Sequence, residues 1–214
     1  MGDTPADRLA GRRLYLCTPD RPDLKDFLDA CLRGGVDMVQ LRDKTLEARP
    51  LVARAELAMG CCAKHGVPFI VNDRPDVAFA AGADGVHVGQ DDVPPGIARK
   101  ILGEGKIVGL STHARAELLA STAEPVDYIS AGPVAPTPTK PGRAGTGAAY
   151  VTEAAERAGR PVFVTGGVRP GSVPDLVAAG ARRFVVVRYL TESEEPEGAA
   201  RALSEAINAA LRSV

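Results

Sequence analysis

The stretch VNDRPDVAFAAGADGVHVGQDD, residues 71–92, contains one full repeat of the pattern that decides the fold. An apolar segment ends in polar residues, and an alanine-rich helical segment follows it. A glycine, Gly82, then precedes a second apolar segment, Gly85–Val88, and glycine is the expected left-handed residue just after a helix. The second segment again ends in polar residues, QDD at 90–92. The stretch therefore predicts strand, helix and strand in succession, with polar side chains where each strand ends.

The same succession of helix, glycine and strand recurs in RGGVDMV at 33–39 and in AAGARRFVVV at 178–187. Strands that alternate with helices form a parallel sheet covered by helices, and apolar character on both strand faces fits burial on both sides. The predicted strands are Arg13–Cys17, Val36–Leu41, Pro68–Val71, Gly85–Val88, Lys106–Leu110, Tyr128–Ala131, Pro161–Thr165 and Arg183–Val187. The predicted helical stretches include Asp23–Arg33, Arg49–Lys64, Ala114–Ala120 and Glu197–Arg212.

Eight strands with about as many helices predict a compact (β/α)8 TIM barrel in the α/β class. We expect one domain over residues 1–214, with residues 1–12 as a flexible N-terminal extension. The alternative is a doubly wound open sheet, which would place a glycine-rich phosphate loop after the first strand. That position holds CTPDRPD, residues 17–23, which lacks the glycines. The sequence therefore favours the barrel.

The composition is that of an ordinary globular chain, with 45% apolar residues, 25% charged residues and a net charge of −1. A net charge this close to zero provides no positive electrostatic field that would attract nucleic acid or an anionic membrane. No apolar run reaches the ~18 residues of a transmembrane helix. The N-terminus has no hydrophobic signal core. The four cysteines show no CxxC spacing, so we expect reduced, packed thiols in a cytoplasmic protein. The composition is compatible with a homo-oligomer and does not fix its size.

Polar residues gather where the predicted strands end, and in a TIM barrel these ends meet at the face that carries the chemistry. They are Gln40, Arg42, Asp43 and Lys44 after the second strand, Asn72, Asp73 and Arg74 after the third, Gln90, Asp91 and Asp92 after the fourth, Ser111, Thr112 and His113 after the fifth, Gly166 and Gly167 after the seventh, and Arg188 after the eighth.

Three aspartates of this ring, Asp73, Asp91 and Asp92, lie on neighbouring strand ends. Carboxylate oxygens suit Mg²⁺, which takes one or two carboxylates together with waters and substrate phosphates. The alternative is that each aspartate caps the helix that follows it. Because cations lie nearby in the predicted ring, we favour the interpretation as a Mg²⁺ site over the one as helix caps.

Arg42, Lys44 and Lys140 provide positive charge beside these carboxylates. Carboxylates that hold Mg²⁺ and cations that hold the remaining oxygens are what a magnesium diphosphate needs. The alternative is a network of salt bridges around the barrel rim, to which Asp43 could belong.

A second anion site is predicted on the other side of the ring. The long loop TPTKPGRAGTG, residues 137–147, offers hydroxyls and exposed backbone N–H groups, although a flexible connector is the alternative. VTGGVRPG at 164–171 and VVVRYL at 185–190 occupy the usual phosphate position of a barrel. Two anion sites imply two phosphorylated substrates. No nucleophile and base stand at matched spacing, and His113 is equally compatible with a general base and with a helix-start residue.

These motifs resemble the thiamine-phosphate synthase family from about Leu14 to Leu190. The segments that carry the resemblance are VQLRDK at 39–44, the stretch at 71–92, GLSTH at 109–113, GPVAPTPTKP at 132–141 and VTGGV at 164–168. The resemblance implies a TIM barrel that joins 4-amino-2-methyl-5-hydroxymethylpyrimidine diphosphate to a thiazole phosphate. The implied products are thiamine phosphate and pyrophosphate, and the implied cofactor is Mg²⁺.

The resemblance also implies roles for individual residues. The expected catalytic residues are Arg42, Lys44, Ser111 and Lys140. The expected magnesium ligands are Asp73 and Asp92, and Asp91 is excluded. The pyrimidine diphosphate site would comprise Gln40, Leu41, Arg42, Asp43, Lys44, Asn72 and Ser111, with Lys140 on the diphosphate. The thiazole phosphate site would comprise Thr137, Thr139, Gly167, Val187 and Arg188.

At Arg188 the chain departs from the serine that many family members carry. Its side chain could hold the phosphate, or it could pair with Glu192 or Glu194 and leave only its backbone N–H for the ligand. Two alternatives to a synthase remain: a relative that tautomerises a thiazole, and a non-catalytic sensor of phosphorylated ligands on the same barrel. The tautomerase needs no diphosphate, so an intact QLRDK motif with Asp73 and Asp92 argues against it. Magnesium-dependent release of pyrophosphate from the two substrates would separate both alternatives from the synthase.

Overall fold

A computed structural model of the chain describes residues 4–136 and 144–213. Eight parallel strands follow one another around a closed barrel, and the last strand pairs with the first. The strands are β1 (Leu14–Thr18), β2 (Met38–Leu41), β3 (Phe69–Asn72), β4 (Gly85–Val88), β5 (Ile107–Thr112), β6 (Tyr128–Ala131), β7 (Val162–Thr165) and β8 (Arg183–Val186). The prediction of a (β/α)8 barrel is confirmed.

Helices alternate with the strands along the chain and cover the outside of the barrel. They are α1 (Pro5–Leu9), α2 (Leu24–Arg33), α3 (Ala48–Lys64), α4 (Pro75–Ala80), α5 (Pro95–Leu102), α6 (Arg115–Ser121), α7 (Gly147–Arg157), α8 (Val173–Ala178), α9 (Arg188–Thr191) and α10 (Pro196–Leu211), with a 3₁₀ turn at Pro170–Ser172. Within the two described ranges, no helix has the length and apolar character needed to cross a bilayer.

The barrel has two apolar cores, because successive side chains of each strand point alternately outward and inward. The larger core lies between the strands and the helices. The smaller one fills the lower interior of the barrel and contains Tyr15, Tyr128 and Phe163, whose rings pack edge to face with centroids 5.3 to 6.0 Å apart. Since this inner core closes the bottom of the barrel, a ligand can enter only from the C-terminal ends of the strands.

The expectation of a flexible extension over residues 1–12 is wrong for the part that the structure describes. Thr4 and Asp7 form a capping box that starts α1. Leu9 at the end of this helix is 1% exposed and belongs to the inner core. The segment therefore packs against the bottom of the barrel. The helix has only five residues, which is too short for its periodicity to stand out in the sequence.

Candidate active site

A cavity of about 500 Å³ opens at the C-terminal ends of the strands, and all eight strands contribute to its wall. Of the residues expected from the sequence, the cavity is lined by Gln40, Arg42, Lys44, Asn72, Asp73, Asp92, Ser111, Gly167, Val187 and Arg188. Asp91 and His113 also reach it. Thr137, Thr139 and Lys140 lie outside the described residues. Most of the site residues predicted from the sequence therefore line one cavity, although they are spread over about 150 positions of the chain.

Leu41 and Asp43 do not line the cavity, and their expected roles in substrate binding stay predictions. Leu41 follows the inward-facing Gln40, so its side chain points outward into the core beneath the helices. The Asp43 carboxylate accepts hydrogen bonds from the backbone N–H groups of Thr45 and Leu46, both at 2.8 Å. Asp43 therefore shapes the loop that carries Arg42 and Lys44.

Two aspartates meet on the wall formed by β3 and β4. The Asp73 side chain, 18% exposed, is in hydrogen-bonding contact with Asp92 and forms an ion pair with Lys44 at 2.9 Å. Burial and the neighbouring Asp92 raise the pKa of Asp73, and Lys44 partly opposes this. Two carboxylates that share one site repel each other when both are ionised. A cation bound between them would relieve this repulsion.

The helix-capping interpretation of these aspartates is not supported by the geometry. The caps of α4 and α5 are Arg74 and Pro94, and neither helix start receives a side-chain hydrogen bond. The Asp92 carboxylate instead accepts the N–H of Gly89 at 2.8 Å. Asp73 has a φ of 61°, a left-handed conformation that is uncommon for residues other than glycine. Such backbone conformations concentrate at functional sites.

A chain of hydrogen bonds crosses the barrel interior below the cavity. Gln40 Nε2 donates to the Tyr15 hydroxyl at 2.5 Å, and the Tyr15 and Tyr128 hydroxyls are 2.9 Å apart. The Tyr128 hydroxyl lies 2.9 Å from His87 Nδ1, and His87 Nε2 lies 2.9 Å from Ser111 Oγ. The chain therefore links Gln40 on one wall of the cavity to Ser111 on another.

The direction of donation along this chain follows from its first member. An amide nitrogen can only donate, so the Tyr15 hydroxyl accepts from Gln40 and passes its own hydrogen to Tyr128. Tyr128 then donates to His87 Nδ1, which fixes the Nε2–H tautomer, and His87 Nε2 donates to Ser111. Ser130 Oγ also donates to Ser111 Oγ, at 3.3 Å, so the Ser111 hydroxyl hydrogen is left for a ligand. Ser111 can thus face a ligand as a donor.

The Tyr128 ring fits into this chain because Gly109 lies beneath it. A Cβ at Gly109 would come within 2.1 Å of Tyr128 Cζ. Glycine is therefore required on β5 at this point. The motifs of the sequence gave His87, Tyr15 and Tyr128 no role in the site. Period-two alternation along β4 could have placed His87 inside the barrel, between the outward-facing Val86 and Val88.

Tyr128→Phe removes two hydrogen bonds of the chain, those of the Tyr128 hydroxyl to Tyr15 and to His87, and no packing volume. It is expected to lower kcat/KM for the substrate implied at Ser111 about three- to tenfold. Steady-state kinetics and thermal unfolding check this. Tyr150→Phe is the matched control, since the Tyr150 hydroxyl donates to the Ala114 carbonyl at 3.3 Å, away from the cavity. Equal losses in the two variants would mean that the chain does not position Ser111.

The opposite wall, after β7 and β8, has little side-chain bulk. Gly166 and Gly167 have φ values of 99° and 76°, and a Cβ at Gly166 would come within 2.6 Å of the Val134 nitrogen. After Val187 the chain enters the short helix α9, which begins with Arg188. The loops after strands seven and eight, with a short extra helix, are the usual phosphate site of a TIM barrel.

Arg188 lies at the edge of this wall. Its guanidinium is 4.0 Å from the Glu192 carboxylate, and both side chains are about half exposed or more, at 48% and 64%. An exposed pair of this kind contributes little, so it does not hold Arg188 away from the cavity. His113 forms a contact between its Nδ1 and Glu117 at 3.0 Å, which anchors it at the start of α6.

Residues 14–190 match the sequence profile of a family described as thiamine monophosphate synthase. The thiamine-phosphate synthase of Thermobifida fusca is 50% identical over 216 residues, which cover 98% of this chain and 99% of that protein. The thiamine-phosphate synthase of Mycobacterium sp. (strain KMS) is 47% identical over 212 residues, which cover 93% and 94%. Among solved structures, the thiamine phosphate pyrophosphorylase of Pyrococcus furiosus superposes with a TM-score of 0.85 at 26% identity, covering 94% of this chain and 97% of that one.

Proposed function

This chain belongs to the thiamine monophosphate synthase family, and we propose that it carries out the family's condensation in a Mg²⁺-dependent reaction at the cavity described above. The enzyme is a transferase of thiamine biosynthesis. It joins 4-amino-2-methyl-5-hydroxymethylpyrimidine diphosphate to a thiazole phosphate and gives thiamine phosphate and pyrophosphate.

The observation that carries the proposal is the contrast between two walls of one cavity. The wall after β2, β3 and β4 combines two cations with the carboxylate pair Asp73 and Asp92. The wall after β7 and β8 offers the backbone of Gly166 and Gly167. In a closed ring of eight strands, β3 and β7 stand opposite each other. The arrangement supports two phosphorylated ligands that face each other across the cavity.

Asp73 and Asp92 fit a magnesium ion. They provide hard oxygen ligands, and burial together with the neighbouring Asp92 raises the pKa of Asp73 although Lys44 partly opposes this. Within the described ranges, no cluster of three His, Cys, Asp or Glu side chains is present. A two-carboxylate site leaves the remaining positions to water and diphosphate oxygens, as Mg²⁺ prefers. When bound, the ion would offset the negative charge that develops on the departing diphosphate.

The residues below the diphosphate would orient the pyrimidine ring. Asn72 Nδ2 is buried and has no acceptor among the described residues, so it can donate to the ligand. Gln40 and Ser111 are held by the hydrogen-bond chain, and Ser111 can donate to a ring nitrogen. Fixed donors of this kind reduce the entropy that is lost when the reacting groups are aligned.

Arg42 and Lys44 would neutralise the leaving diphosphate and favour its departure from the pyrimidine methylene. The aminopyrimidine can delocalise the positive charge left on that carbon. The thiazole nitrogen then attacks it as a neutral nucleophile, so no base is needed. This fits a cavity whose histidines, His87 and His113, are both engaged by other side chains. Lys140, Thr137 and Thr139 remain predicted contacts of the two phosphorylated substrates.

The experiment that tests the proposal is a two-substrate assay in which each component is omitted in turn. We expect thiamine phosphate only when both substrates and Mg²⁺ are present. A thiazole tautomerase would instead convert a thiazole phosphate without the pyrimidine substrate. A sensor would bind both ligands and form no product. Either of these results would rule out the synthase.

We further propose that the enzyme acts in the cytoplasm on small phosphorylated substrates, without nucleic acid or membrane partners. The absence of any disulfide among the described residues supports a reducing compartment. Self-association into a homo-oligomer remains a prediction from the sequence.

If the Arg188 side chain contacts the phosphate, Arg188→Ser is expected to raise the KM for the thiazole phosphate about tenfold or more, because a charged hydrogen bond contributes about 1.5–3 kcal/mol. The KM for the pyrimidine diphosphate should change little, since its site lies on the opposite wall. Initial-rate measurements with each substrate varied in turn check this. If the thiazole phosphate KM does not change, only the backbone at this position contacts the phosphate.

A further inference from the structure

A second recess, of about 360 Å³, lies at the other end of the barrel from the active site. Arg13 immediately precedes β1 and Arg183 begins β8, so the recess marks the N-terminal face at the seam where the barrel closes. The register of Leu14 with Phe184 places Arg13 beside Arg183 across this seam. The recess is lined by Gly11, Arg12, Arg13, Arg182, Arg183 and Leu211.

The four arginines of the recess lack acidic partners. Among the residues that the structure describes, none of them forms an ion pair with a carboxylate, whereas Arg99 at the same end of the barrel pairs with Asp127 at 2.7 Å. Their contacts are to neutral oxygens: Arg12 donates to the Gly66 carbonyl and Arg13 to Asn208 Oδ1, each at 2.9 Å. These contacts hold the Arg12 and Arg13 guanidinium groups in place without a carboxylate as their hydrogen-bond partner.

Arg183 carries a buried donor, its Nε, that has no partner among the described residues. The residue as a whole is partly buried. Burial lowers the pKa of Arg183, and the charge of Arg13 lowers it further. Like charges opposite each other on neighbouring strands destabilise a sheet. The seam thus brings two guanidinium groups together at an energetic cost.

The carboxylate that acts on Arg183 from within the protein, Asp37, compensates this charge only in part, because the pKa of Arg183 remains lowered. Its two oxygens accept the backbone N–H groups of Arg13 and Leu14 at 2.8 and 2.9 Å. Burial raises the pKa of Asp37 to about 6. Around the four arginines, Asp37 therefore contributes at most one negative charge, and that charge is already engaged.

We propose that this recess is an anion site that binds a multivalent oxyanion of the phosphate class, which bridges Arg13 and Arg183 across the β1–β8 seam. Guanidinium groups bind phosphate oxygens through paired N–H donors, and the buried Nε of Arg183 provides a donor without a partner. A ligand that binds the folded chain alone stabilises it. The anion would thus strengthen the closure of the barrel, independently of the reaction at the other end.

The test is thermal unfolding of the full chain in inorganic phosphate and in chloride at equal ionic strength, for wild type and Arg183→Gln. At ten times the dissociation constant, phosphate should raise the wild-type Tm by about 3–6 °C through this site. Arg183→Gln should lose this increment, with phosphate affinity at the recess at least tenfold weaker by calorimetry. In chloride its Tm should equal or exceed that of wild type, because one of two opposed cations is gone. The active-site cavity is the same in both proteins, so a difference between their Tm increments in phosphate arises from the recess.

Arg157→Gln is the control for general charge effects, because Arg157 is exposed, ends α7 at the same end of the barrel, and lies 3.5 Å from Glu153. It should keep the full response to phosphate. Arg13→Gln, at an exposed position, repeats the test if Arg183→Gln does not fold. The proposal is overturned if the recess variants keep the wild-type response, or if Arg157→Gln loses as much of it as they do.

Discussion

Replacing Asp73 or Asp92 by asparagine is expected to lower kcat by about 100-fold or more at limiting Mg²⁺, with the barrel still folded. The two carboxylates are in contact and share the neighbourhood of Lys44. Asparagine keeps the shape of the side chain and removes the charge that holds the metal. Mg²⁺ titrations of the steady-state rate measure the effect, and excess Mg²⁺ should restore part of it.

Asp91→Asn is the matched control for these variants. Asp91 is adjacent to Asp92 in the sequence and reaches the cavity, but it is exposed and has no part in the contact with Asp73. It should retain near-wild-type turnover. If Asp73→Asn and Asp92→Asn did the same at limiting Mg²⁺, the assignment of the metal site would be wrong.

Arg42→Ala is expected to weaken binding of the pyrimidine diphosphate about 10- to 100-fold, the range for losing a charge-assisted hydrogen bond. The thiazole phosphate should bind with nearly unchanged affinity, because its predicted site is on the opposite wall. Lys44→Ala should show the same preference. Lys44→Ala is a less specific test of the diphosphate contact, because Lys44 also partly opposes the raised pKa of Asp73. Its loss would therefore affect the metal site as well.

Calorimetric titrations with each ligand separately measure this pair of affinities. Lys100→Ala on the exposed face of α5 removes one positive charge far from the cavity lining and is the control. Equal losses for both ligands in Arg42→Ala would contradict the arrangement of two sites on facing walls.

The barrel and the charged part of the site could be predicted because both depend on the order of residues along the chain. Glycines such as Gly82 mark most of the passages from helix to strand, and its φ of 69° agrees with that role. Once the strands are parallel, their ends must meet at one face, so Asp73 and Asp92 on consecutive strands must be neighbours. No knowledge of side-chain contacts is needed for that step.

The hydrogen-bond chain could not be predicted, because it depends on which residues meet across the barrel. Tyr15 and Tyr128 are separated by 113 positions, and no local pattern relates them. The position of Gly109 under the Tyr128 ring is likewise a contact between strands. Leu9 was missed for a related reason, since burial at the barrel bottom is a tertiary contact of a very short helix.

The orientation of two side chains in the QLRDK motif could have been refined from the sequence. Strand alternation places the Leu41 side chain outside the barrel if Gln40 faces inward. Asp43 followed by Thr45 is a typical side-chain-to-backbone turn, which uses the carboxylate locally. Both residues stay predicted members of the binding motif, although neither lines the cavity.

The most direct measurement is the stoichiometry of products in a single turnover of the purified chain. Enzyme in excess over the pyrimidine diphosphate, with the thiazole phosphate and Mg²⁺ present, should release one pyrophosphate for each thiamine phosphate formed. Both yields should vanish together when the metal is chelated. Pyrophosphate released without an equal amount of thiamine phosphate, or thiamine phosphate formed at full rate in the presence of the chelator, would contradict the proposed reaction.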